Sequence, residues 1–252
     1  MTLLITGGAS GIGAATARLA AERGHKVAIN YRSRDAQAKK VVADIAAKGG
    51  QAVALPADVS READIMTLFD AAEKALGPVT HLVNSAGIGL TARVADFDAA
   101  ALERLFTVNT VGLMLCCREA ARRMSTKRGG KGGVVVNVSS MAGTIGGRPG
   151  ASAYAASKAA VDSFTMGFAK DVALEGIRAV SLRPGMIETE MTEKTLSDRS
   201  AREAIESTIA MGRVGQAEEI ANAIVWLLSD EASFISGVTL DASGGGFVFG
   251  KR

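Results

Sequence analysis

Short apolar runs alternate with longer amphipathic stretches along the whole chain. The apolar runs, rich in Val, Ile and Leu, predict strands over residues 3–6, 27–31, 51–55, 79–84, 133–139, 177–183 and 237–240. Between them, apolar positions three and four residues apart predict helices over residues 35–48, 62–76, 99–124, 153–174 and 218–228. A further helix is predicted to start near Ile12 and to end before Gly24.

This alternation predicts the fold class. Strands that alternate with helices form a parallel sheet through right-handed crossovers, with helices on both faces. Residues 79–84 and 134–138 are apolar nearly throughout, as central parallel strands are. Because the 252 residues contain no visible linker or repeat, we predict one domain over residues 1–252. It is an α/β Rossmann fold with a doubly wound parallel sheet of about seven strands.

Two segments depart from the alternation. The polar segment 188–212 precedes the last predicted helix and is either a surface insertion or a mobile lid. Long excursions in compact domains favour a lid over a substrate cleft. The tail 244–252 carries Phe247 and Phe249, and we expect these two rings to dock, for example on a neighbouring subunit.

Composition and charge narrow the function classes. Hydrophobic residues make up 48% and charged residues 22% of the chain, as in a globular protein with a sizeable core, and the net charge is +3. This balance, without an aromatic–basic surface pattern, argues against a nucleic-acid binder. The one basic cluster, Lys127, Arg128 and Lys131, is either a solvated loop or a phosphate-binding patch.

The cysteines and histidines do not form a metal-binding pattern. Cys116 and Cys117 are adjacent in an apolar segment, no Cys-x-x-Cys pattern is present, and His25 and His81 stand alone. We therefore predict buried free thiols, no metal site and no catalytic histidine.

The start of the chain leaves no room for a signal peptide ahead of the first predicted strand. No apolar run reaches the roughly 18 residues that a membrane span needs. We therefore expect a soluble, cytoplasmic protein without membrane contact.

A glycine-rich loop follows the first predicted strand. Gly7, Gly11 and Gly13 lie at the carboxyl end of that strand, where open parallel sheets bind ligands. Glycine lets the backbone approach a pyrophosphate, and the next helix offers free N–H groups at its N-terminus. The loop therefore predicts a dinucleotide site.

The end of the second predicted strand bears on the choice of cofactor. A carboxylate there would bind the ribose 2′-hydroxyl of NAD and repel the 2′-phosphate of NADP. The chain reads Asn30-Tyr31-Arg32-Ser33-Arg34, and two guanidiniums suit phosphate oxygens. We predict that NADP(H) is preferred and that NAD(H) is possible. The alternative is a solvent-exposed basic turn.

Two more strand ends add candidate cofactor contacts. Asp58 and Val59 follow the third strand, where a carboxylate could accept from the adenine amino group. Asn84, Ala86 and Gly87 end the fourth strand, where small residues let the backbone approach the nucleotide.

Tyr154 and Lys158 form a Tyr-x-x-x-Lys pair on one face of a predicted helix. An ammonium beside a phenol favours the phenolate, so the phenol can exchange a proton nearer neutral pH. Ser140 lies upstream, and its hydroxyl and the phenol can both donate to a carbonyl oxygen that develops negative charge. Together with the glycine loop, the pair predicts hydride transfer between a nicotinamide and a carbonyl or alcohol. Alone, it would be a half-buried tyrosine beside a surface lysine, and Ser139 competes with Ser140.

In this combination, the chain resembles the short-chain dehydrogenase/reductases over nearly its whole length. Residues 6–13 resemble their cofactor loop, residues 84–87 their Asn-Asn-Ala-Gly motif, and Pro184, Gly185 and Thr189 their nicotinamide-contacting segment. The catalytic tetrad that the resemblance implies is Asn109, Ser140, Tyr154 and Lys158.

The resemblance implies a role for each member of the tetrad. Tyr154 is the general acid in reduction and the base in oxidation, and Lys158 lowers its pKa and holds the nicotinamide ribose. Ser140 hydrogen-bonds the substrate oxygen, and Asn109 interrupts its helix and holds a proton-relaying water. The predicted cofactor contacts are Gly7, Ser10, Gly11, Ile12, Gly13, Tyr31, Arg32, Ser33, Asp58, Val59, Asn84, Ala86, Gly87, Tyr154, Lys158, Pro184, Gly185, Ile187 and Thr189.

The chain departs from the family pattern at two places. Ser85 replaces the usual second Asn, which affects local stability. The Ser140–Tyr154 interval is longer than the commonest spacing, and the extra length falls in the loop 143–150 on the substrate side. We expect this loop to reshape the pocket without affecting the chemistry.

The sequence says less about the substrate. Apolar and small polar residues around the predicted pocket fit a small or medium ketone or alcohol. Within the family, the chain looks most like bacterial sugar 1-dehydrogenase-like and 3-oxoacyl-carrier-protein reductase-like members. A 3-oxoacyl-carrier-protein reductase is the alternative, and it would need a basic docking face for the acidic carrier. The basic cluster could contribute, whereas Glu175 places a carboxylate where such reductases tend to be basic. A non-catalytic dinucleotide sensor tends to lose the Tyr or the Lys that this chain retains.

The two longest predicted helices carry more apolar residues than one buried face needs. Val111, Leu113 and Met114 on one helix and Phe164 and Met166 on the other extend beyond a single stripe. The surplus predicts a subunit interface. Because the family usually assembles through these two helices, we predict a homotetramer.

Overall fold

Seven parallel strands form one sheet at the centre of the computed structural model, which describes residues 1–246. In chain order the strands of the fold are β1 Thr2–Thr6, β2 Lys26–Tyr31, β3 Ala52–Pro56, β4 Val79–Asn84, β5 Gly133–Val138, β6 Ile177–Pro184, β7 Ile187–Glu188, β8 Gly215–Gln216 and β9 Thr239–Ala242. The sheet order is β3-β2-β1-β4-β5-β6-β9, and every neighbouring pair is parallel. The predicted Rossmann fold is confirmed. The expectation for Phe247 and Phe249 lies outside the described residues.

Helices cover both faces of the sheet. They are α1 Gly11–Glu22, α2 Asp35–Ala47, α3 Glu62–Leu76, α4 Ala99–Phe106, α5 Leu113–Met124, α6 Ala142–Ile145, α7 Ser152–Val172, α8 Glu193–Leu196, α9 Arg199–Glu206 and α10 Ala217–Leu228. One core cluster packs α1, α2 and α10 on one face, and a second packs α3, α5 and α7 on the other. In β5, Val134 and Val136 enter the first cluster and Val135 the second. Alternate residues of a strand point to opposite faces, so both must be apolar when both faces are covered.

The helix predicted over residues 99–124 is divided by a π-helical segment, Thr107–Gly112. The π-helical segment lies between α4 and α5 and contains Asn109, which is fully buried. Single π-helical turns within α-helices are frequent at functional sites. The other predicted boundaries differ from the observed ones by one or two residues, as helix and strand ends commonly do.

The helical run Ala99–Met124 corrects one expectation about membrane spans. It is long and apolar enough to cross a bilayer by length and composition alone, with a mean hydropathy of 1.3 over an 18-residue window. The expectation relied on unbroken apolar runs, whereas this run mixes apolar and polar residues. In the fold it is a core helix: Leu113, Cys117 and Ala120 are buried against the sheet. The core helix of a soluble protein meets the same criteria.

The segment 188–212 has its own structure. It contains α8 and α9, and the short ribbon formed by β7 and β8 brackets its ends. Leu196, Ile205, Ile209 and Val214 are buried together in a small separate cluster. The segment therefore packs mainly on itself, as a movable unit would. Its role as a lid stays a prediction.

The two ends of the sheet differ in chemistry. The carboxyl ends of the strands carry the glycine loop and the other predicted site residues, whereas His25 and His81 lie near the amino ends of β2 and β4. These two rings are buried, with centroids 5.2 Å apart in a T-shaped arrangement. They are therefore core residues remote from the predicted site.

Candidate active site

One cleft of about 490 Å³ collects the carboxyl ends of the strands. Most of the predicted site residues line it together. These are Gly7, Ser10, Gly11, Ile12, Tyr31, Arg32, Ser33, Asp58, Val59, Ala86, Gly87, Ser140, Tyr154, Lys158, Pro184, Gly185, Ile187 and Thr189. The fold therefore brings together residues that lie up to 182 positions apart, between Gly7 and Thr189.

The glycine loop is closely packed. Gly7 has a φ of +67°, and a Cβ there would lie 2.8 Å from the Cα of Ala86. A Cβ on Gly13 would collide with the Gly7 carbonyl oxygen. Ser10, the N-cap residue of α1, makes no side-chain capping bond. The first N–H groups of α1 therefore stay available at the cleft, as a pyrophosphate requires, and the residues present fit a dinucleotide.

Asn30 holds this loop, and the sequence analysis did not assign it a role. Its Oδ1 accepts from the Gly7 N–H at 3.3 Å, and its Nδ2 donates to the Ala57 carbonyl at 2.9 Å. The side chain thus ties the glycine loop after β1 to the turn after β3. The only sequence signal was an amide among the apolar residues of the predicted strand 27–31, and it does not identify the partners of Asn30.

The turn after β2 is open to the cleft. Arg32, Ser33 and Arg34 are exposed and line it. The Arg34 Nη1 lies 3.9 Å from Oε1 of Glu190, which belongs to the segment 188–212 on the other side of the cleft. The Tyr31 hydroxyl donates to Asp35 Oδ1 at 2.6 Å, and Lys39 pairs with Asp35 Oδ2 at 2.8 Å, so the first carboxylate of α2 is bonded on both oxygens.

Asp58 lies at the outer end of the cleft with its carboxylate already bonded. Ser60 donates to it through both its N–H and its hydroxyl, and Arg104 forms an ion pair with it at 2.9 Å. Burial alone would raise the pKa of Asp58, but these bonds outweigh burial and lower it. Arg104 also lines the cleft, and the sequence analysis missed it because α4 is remote from Asp58 along the chain.

Three predicted residues lie behind the wall of the cleft. Gly13 is buried in the first turn of α1. Asn84 is buried between strands, and its Nδ2 donates to Asn137 Oδ1 at 2.9 Å. The amide of Asn109 accepts from the Ile88 N–H at 2.8 Å and donates to the Ile88 carbonyl at 2.9 Å. Gly13 and the side chains of Asn84 and Asn109 therefore support the cleft from behind.

The two competing serines point in different directions. The Ser139 hydroxyl is buried and donates to the Lys158 carbonyl at 3.0 Å. The Ser140 hydroxyl lies at the cleft, accepts from the Ala142 N–H at 3.1 Å, and is close enough to the Tyr154 phenol to lower its pKa. Ser140 is therefore the serine placed beside Tyr154.

Burial controls the proton affinities of Tyr154 and Lys158. Burial raises the pKa of Tyr154, and the hydrogen bond with Ser140 opposes this rise. Burial lowers the pKa of Lys158 to about 8, while the nearby carboxylate of Asp162 opposes the fall. Lys158 Nζ donates to the Val138 carbonyl at 2.8 Å and lies 6.0 Å from the centroid of the Tyr154 ring. Burial and Ser140 are the causes of the shift in the Tyr154 pKa and Lys158 is not among them, so the expected lowering of the phenol pKa by lysine is not seen.

The thiols lie outside the cleft. Cys116 and Cys117 are free and buried, and burial raises the pKa of Cys117 to about 12 and that of Cys116 still further. Within residues 1–246, no group of three or more His, Cys, Asp or Glu side chains is placed to hold a metal ion.

Fold and site together define a class of protein. A doubly wound parallel sheet with a glycine cradle, and a buried Tyr-x-x-x-Lys pair in the same cleft, belong to a nicotinamide-dependent oxidoreductase. Residues 7–246 match a family model described as Enoyl-(Acyl carrier protein) reductase. The chain belongs to the short-chain dehydrogenase/reductase family. Its chemistry is NAD(P)-dependent oxidoreduction of carbonyl and alcohol groups.

Relatives cover the chain almost completely. It is 44% identical over 243 residues to an uncharacterized oxidoreductase, YgfF, of Escherichia coli K12, covering 96% of this chain and 98% of the relative. It is 38% identical over 250 residues to L-rhamnose 1-dehydrogenase (NAD(P)(+)) of Sphingomonas sp. SKA58, covering 98% and 96%. A crystal structure of a dehydrogenase/reductase from Sinorhizobium meliloti 1021 superposes with a TM-score of 0.88 at 33% identity, covering 97% of this chain and 94% of that chain.

Proposed function

We propose that this protein is an NADP(H)-preferring dehydrogenase/reductase that interconverts a small or medium carbonyl compound and its alcohol. Tyr154 is its general acid/base. The observation that carries this proposal is the placement of the Tyr154 phenol beside the Ser140 hydroxyl in the glycine cleft. When bound, the nicotinamide supplies or accepts the hydride.

The proton chemistry follows from the environment of the phenol. Because burial raises the pKa of Tyr154, its hydroxyl is protonated at neutral pH and can give its proton to the substrate oxygen during reduction. Ser140 donates to the same oxygen and stabilises its developing charge. Lys158 holds the nicotinamide ribose, and Asn109 acts from behind the cleft by fixing the backbone of Ile88. In oxidation the phenolate accepts the alcohol proton.

The preference for NADP rests on the turn after β2. Arg32 and Arg34 are exposed there, and the turn itself has no carboxylate. A 2′-phosphate would meet two guanidiniums, which bind phosphate through paired N–H groups. NAD(H) remains a usable cofactor because its ribose hydroxyls can still bond Ser33.

A free small molecule is favoured over a carrier-bound substrate. The basic cluster Lys127, Arg128 and Lys131 lies just ahead of β5, at the amino ends of the strands. The cleft opens at the opposite ends. A carrier protein docked on these cations would therefore deliver its substrate to the wrong end of the sheet.

Three further features belong to the proposal. The segment 188–212 acts as a lid, because it lines the cleft through Thr189, Glu190 and Met191 yet packs mainly on itself.

The enzyme is a homotetramer, since Val111 and Met166 expose 47% and 42% of their surface on the two interface helices. A cytoplasmic location suits two free thiols.

A turnover assay tests the proposed function. Purified protein is mixed with NADPH and then NADH, and absorbance loss is followed with ketones, aldehydes and β-keto thioesters; sugars and secondary alcohols serve for the reverse reaction. Turnover with an NADPH/NADH ratio of kcat/KM above one is expected. A ratio below one would contradict the NADP preference. Tight cofactor binding without any turnover would favour the sensor alternative.

A further inference from the structure

Arg104 connects α4 to the outer end of the cleft. Its Nη2 donates to Asp58 Oδ2 at 2.9 Å and to Asp58 Oδ1 at 3.3 Å, and its Nη1 donates to the Ser60 hydroxyl. Ser60 in turn donates to Asp58 Oδ1 through its N–H at 2.9 Å and its hydroxyl at 2.7 Å. Asp58 Oδ1 is thus saturated with donors. Oδ2 accepts only from Arg104 among the described residues and keeps room for one more donor.

The strand order says which part of a dinucleotide reaches Asp58. The pyrophosphate belongs at the glycine loop after β1, and the adenosine ribose at the end of β2. Because β3 lies outside β2 in the sheet, the purine base extends to the end of β3. Asp58 follows β3 there, lines the cleft, and has a side chain that is 23% exposed.

We propose that Arg104 is a positioning residue that fixes the Asp58 carboxylate so that Oδ2 accepts a hydrogen bond from the exocyclic amino group of adenine. This inference rests on dinucleotide binding in the cleft but not on the choice between NADP and NAD. Purine without a 6-substituent carries a hydrogen in place of that amino group and keeps N1 as an acceptor. It would leave Oδ2 without this donor, so the site selects adenine.

Isothermal titration calorimetry with two cofactors tests the inference. The probes are NADPH and its counterpart with unsubstituted purine in place of adenine, which differ only in the purine 6-substituent. The wild-type protein is expected to bind NADPH roughly tenfold or more tightly, as the loss of a hydrogen bond to a charged group implies. In Arg104→Ala the Asp58 carboxylate can rotate, so the ratio of the two dissociation constants is expected to fall toward one. Asp58→Ala removes the acceptor and is expected to lose the preference outright.

Two more variants keep the test decisive. Arg104→Lys retains the positive charge but lacks the planar fork that reaches both Asp58 and Ser60. Arg104→Lys is also expected to lose the preference for the adenine cofactor. If the alanine variant does not fold, the lysine variant provides the measurement. Arg118→Ala is the matched control: Arg118 pairs with Glu62 at 2.7 Å, so it too ties this helical run to α3, but outside the cleft. Its preference is expected to equal that of the wild type.

The possible outcomes separate the inference from the function. If Arg104 were only structural, its loss would weaken both cofactors equally and leave the preference at the wild-type value. That result, or a wild-type protein that binds both cofactors alike, overturns the inference and leaves the oxidoreductase function intact. A wild-type protein that binds neither cofactor contradicts dinucleotide binding itself.

Discussion

At the scale of single residues, the chemistry depends on burial more than on sequence spacing. The four-residue spacing of Tyr154 and Lys158 predicted that the ammonium would act on the phenol oxygen. Instead, Lys158 donates to the Val138 carbonyl, and Ser140 is the partner that opposes the raised pKa of Tyr154. Helical spacing places two side chains on one face. It does not determine the rotamer of a lysine, which depends on acceptors supplied by a distant strand.

The pH dependence of reduction follows from Lys158. Its ammonium holds the nicotinamide ribose only while protonated, and burial lowers its pKa to about 8. The proton is lost as pH rises, so kcat/KM for carbonyl reduction is expected to fall through about pH 8. A pH profile of initial rates measures this, and a rate that stays level to pH 10 would oppose it.

Asp162 supplies a second check on the same group. Its carboxylate favours the charged form of Lys158. Asp162→Asn is therefore expected to move the falling limb of the profile to lower pH. Because Asp162 also pairs with Arg183 at 2.8 Å, thermal unfolding is measured alongside. If the variant is folded and kcat/KM still falls at the wild-type pH, Asp162 does not influence the protonation of Lys158.

At the scale of elements, the periodic pattern predicted the strands and helices well because each buries a regular apolar face. The apolar pattern alone did not predict the π-helical segment or the short helices α6, α8 and α9. The π-helical segment Thr107–Gly112 keeps an amphipathic pattern, so periodicity does not distinguish it from the α-helices beside it; the family resemblance did imply that Asn109 interrupts its helix. The short helices in the segment 188–212 bury a small cluster of their own, and their polar sequence resembled a loop.

The contact between this segment and the turn after β2 makes a prediction about cofactor choice. Glu190 lies 3.9 Å from Arg34, where it would compete with a 2′-phosphate. Glu190→Gln is expected to lower KM for NADPH roughly two- to fivefold, the range of an exposed ion pair, and to leave KM for NADH unchanged. Steady-state kinetics with both cofactors measures the difference.

Glu193→Gln is the matched control for this contact. Glu193 belongs to the same segment and is exposed, but it does not line the cleft. It is expected to change neither KM. Equal effects of Glu190→Gln on both cofactors would mean that Glu190 acts on lid closure rather than on the phosphate.

At the scale of the whole molecule, the sheet gathers residues from most of the chain length at one edge. The cofactor loop and the tetrad could be predicted because their spacing matches a family. Arg104 and Asn30 could not, because their partners, Asp58 and Gly7, are brought near only by the order of the strands. The substrate remains the least predictable feature, since it depends on loops rather than on the repeated pattern.

The predicted tetramer is testable through its exposed apolar residues. Light scattering is expected to give four times the chain mass of 25.9 kDa. Val111→Asp and Met166→Asp each place a charge on an interface helix and are expected to lower that mass. Met66→Asp, at a similarly exposed methionine on α3, is the control and should leave it unchanged. A monomeric wild-type protein would refute the assembly.

Tyr154→Phe tests the central claim most directly. With a substrate found by the turnover panel, kcat and the NADPH dissociation constant are measured for both proteins. Loss of the phenol proton is expected to lower kcat roughly 10²–10⁴-fold while NADPH binds as before. A phenylalanine enzyme with a normal kcat would contradict the assignment of Tyr154 as the acid/base.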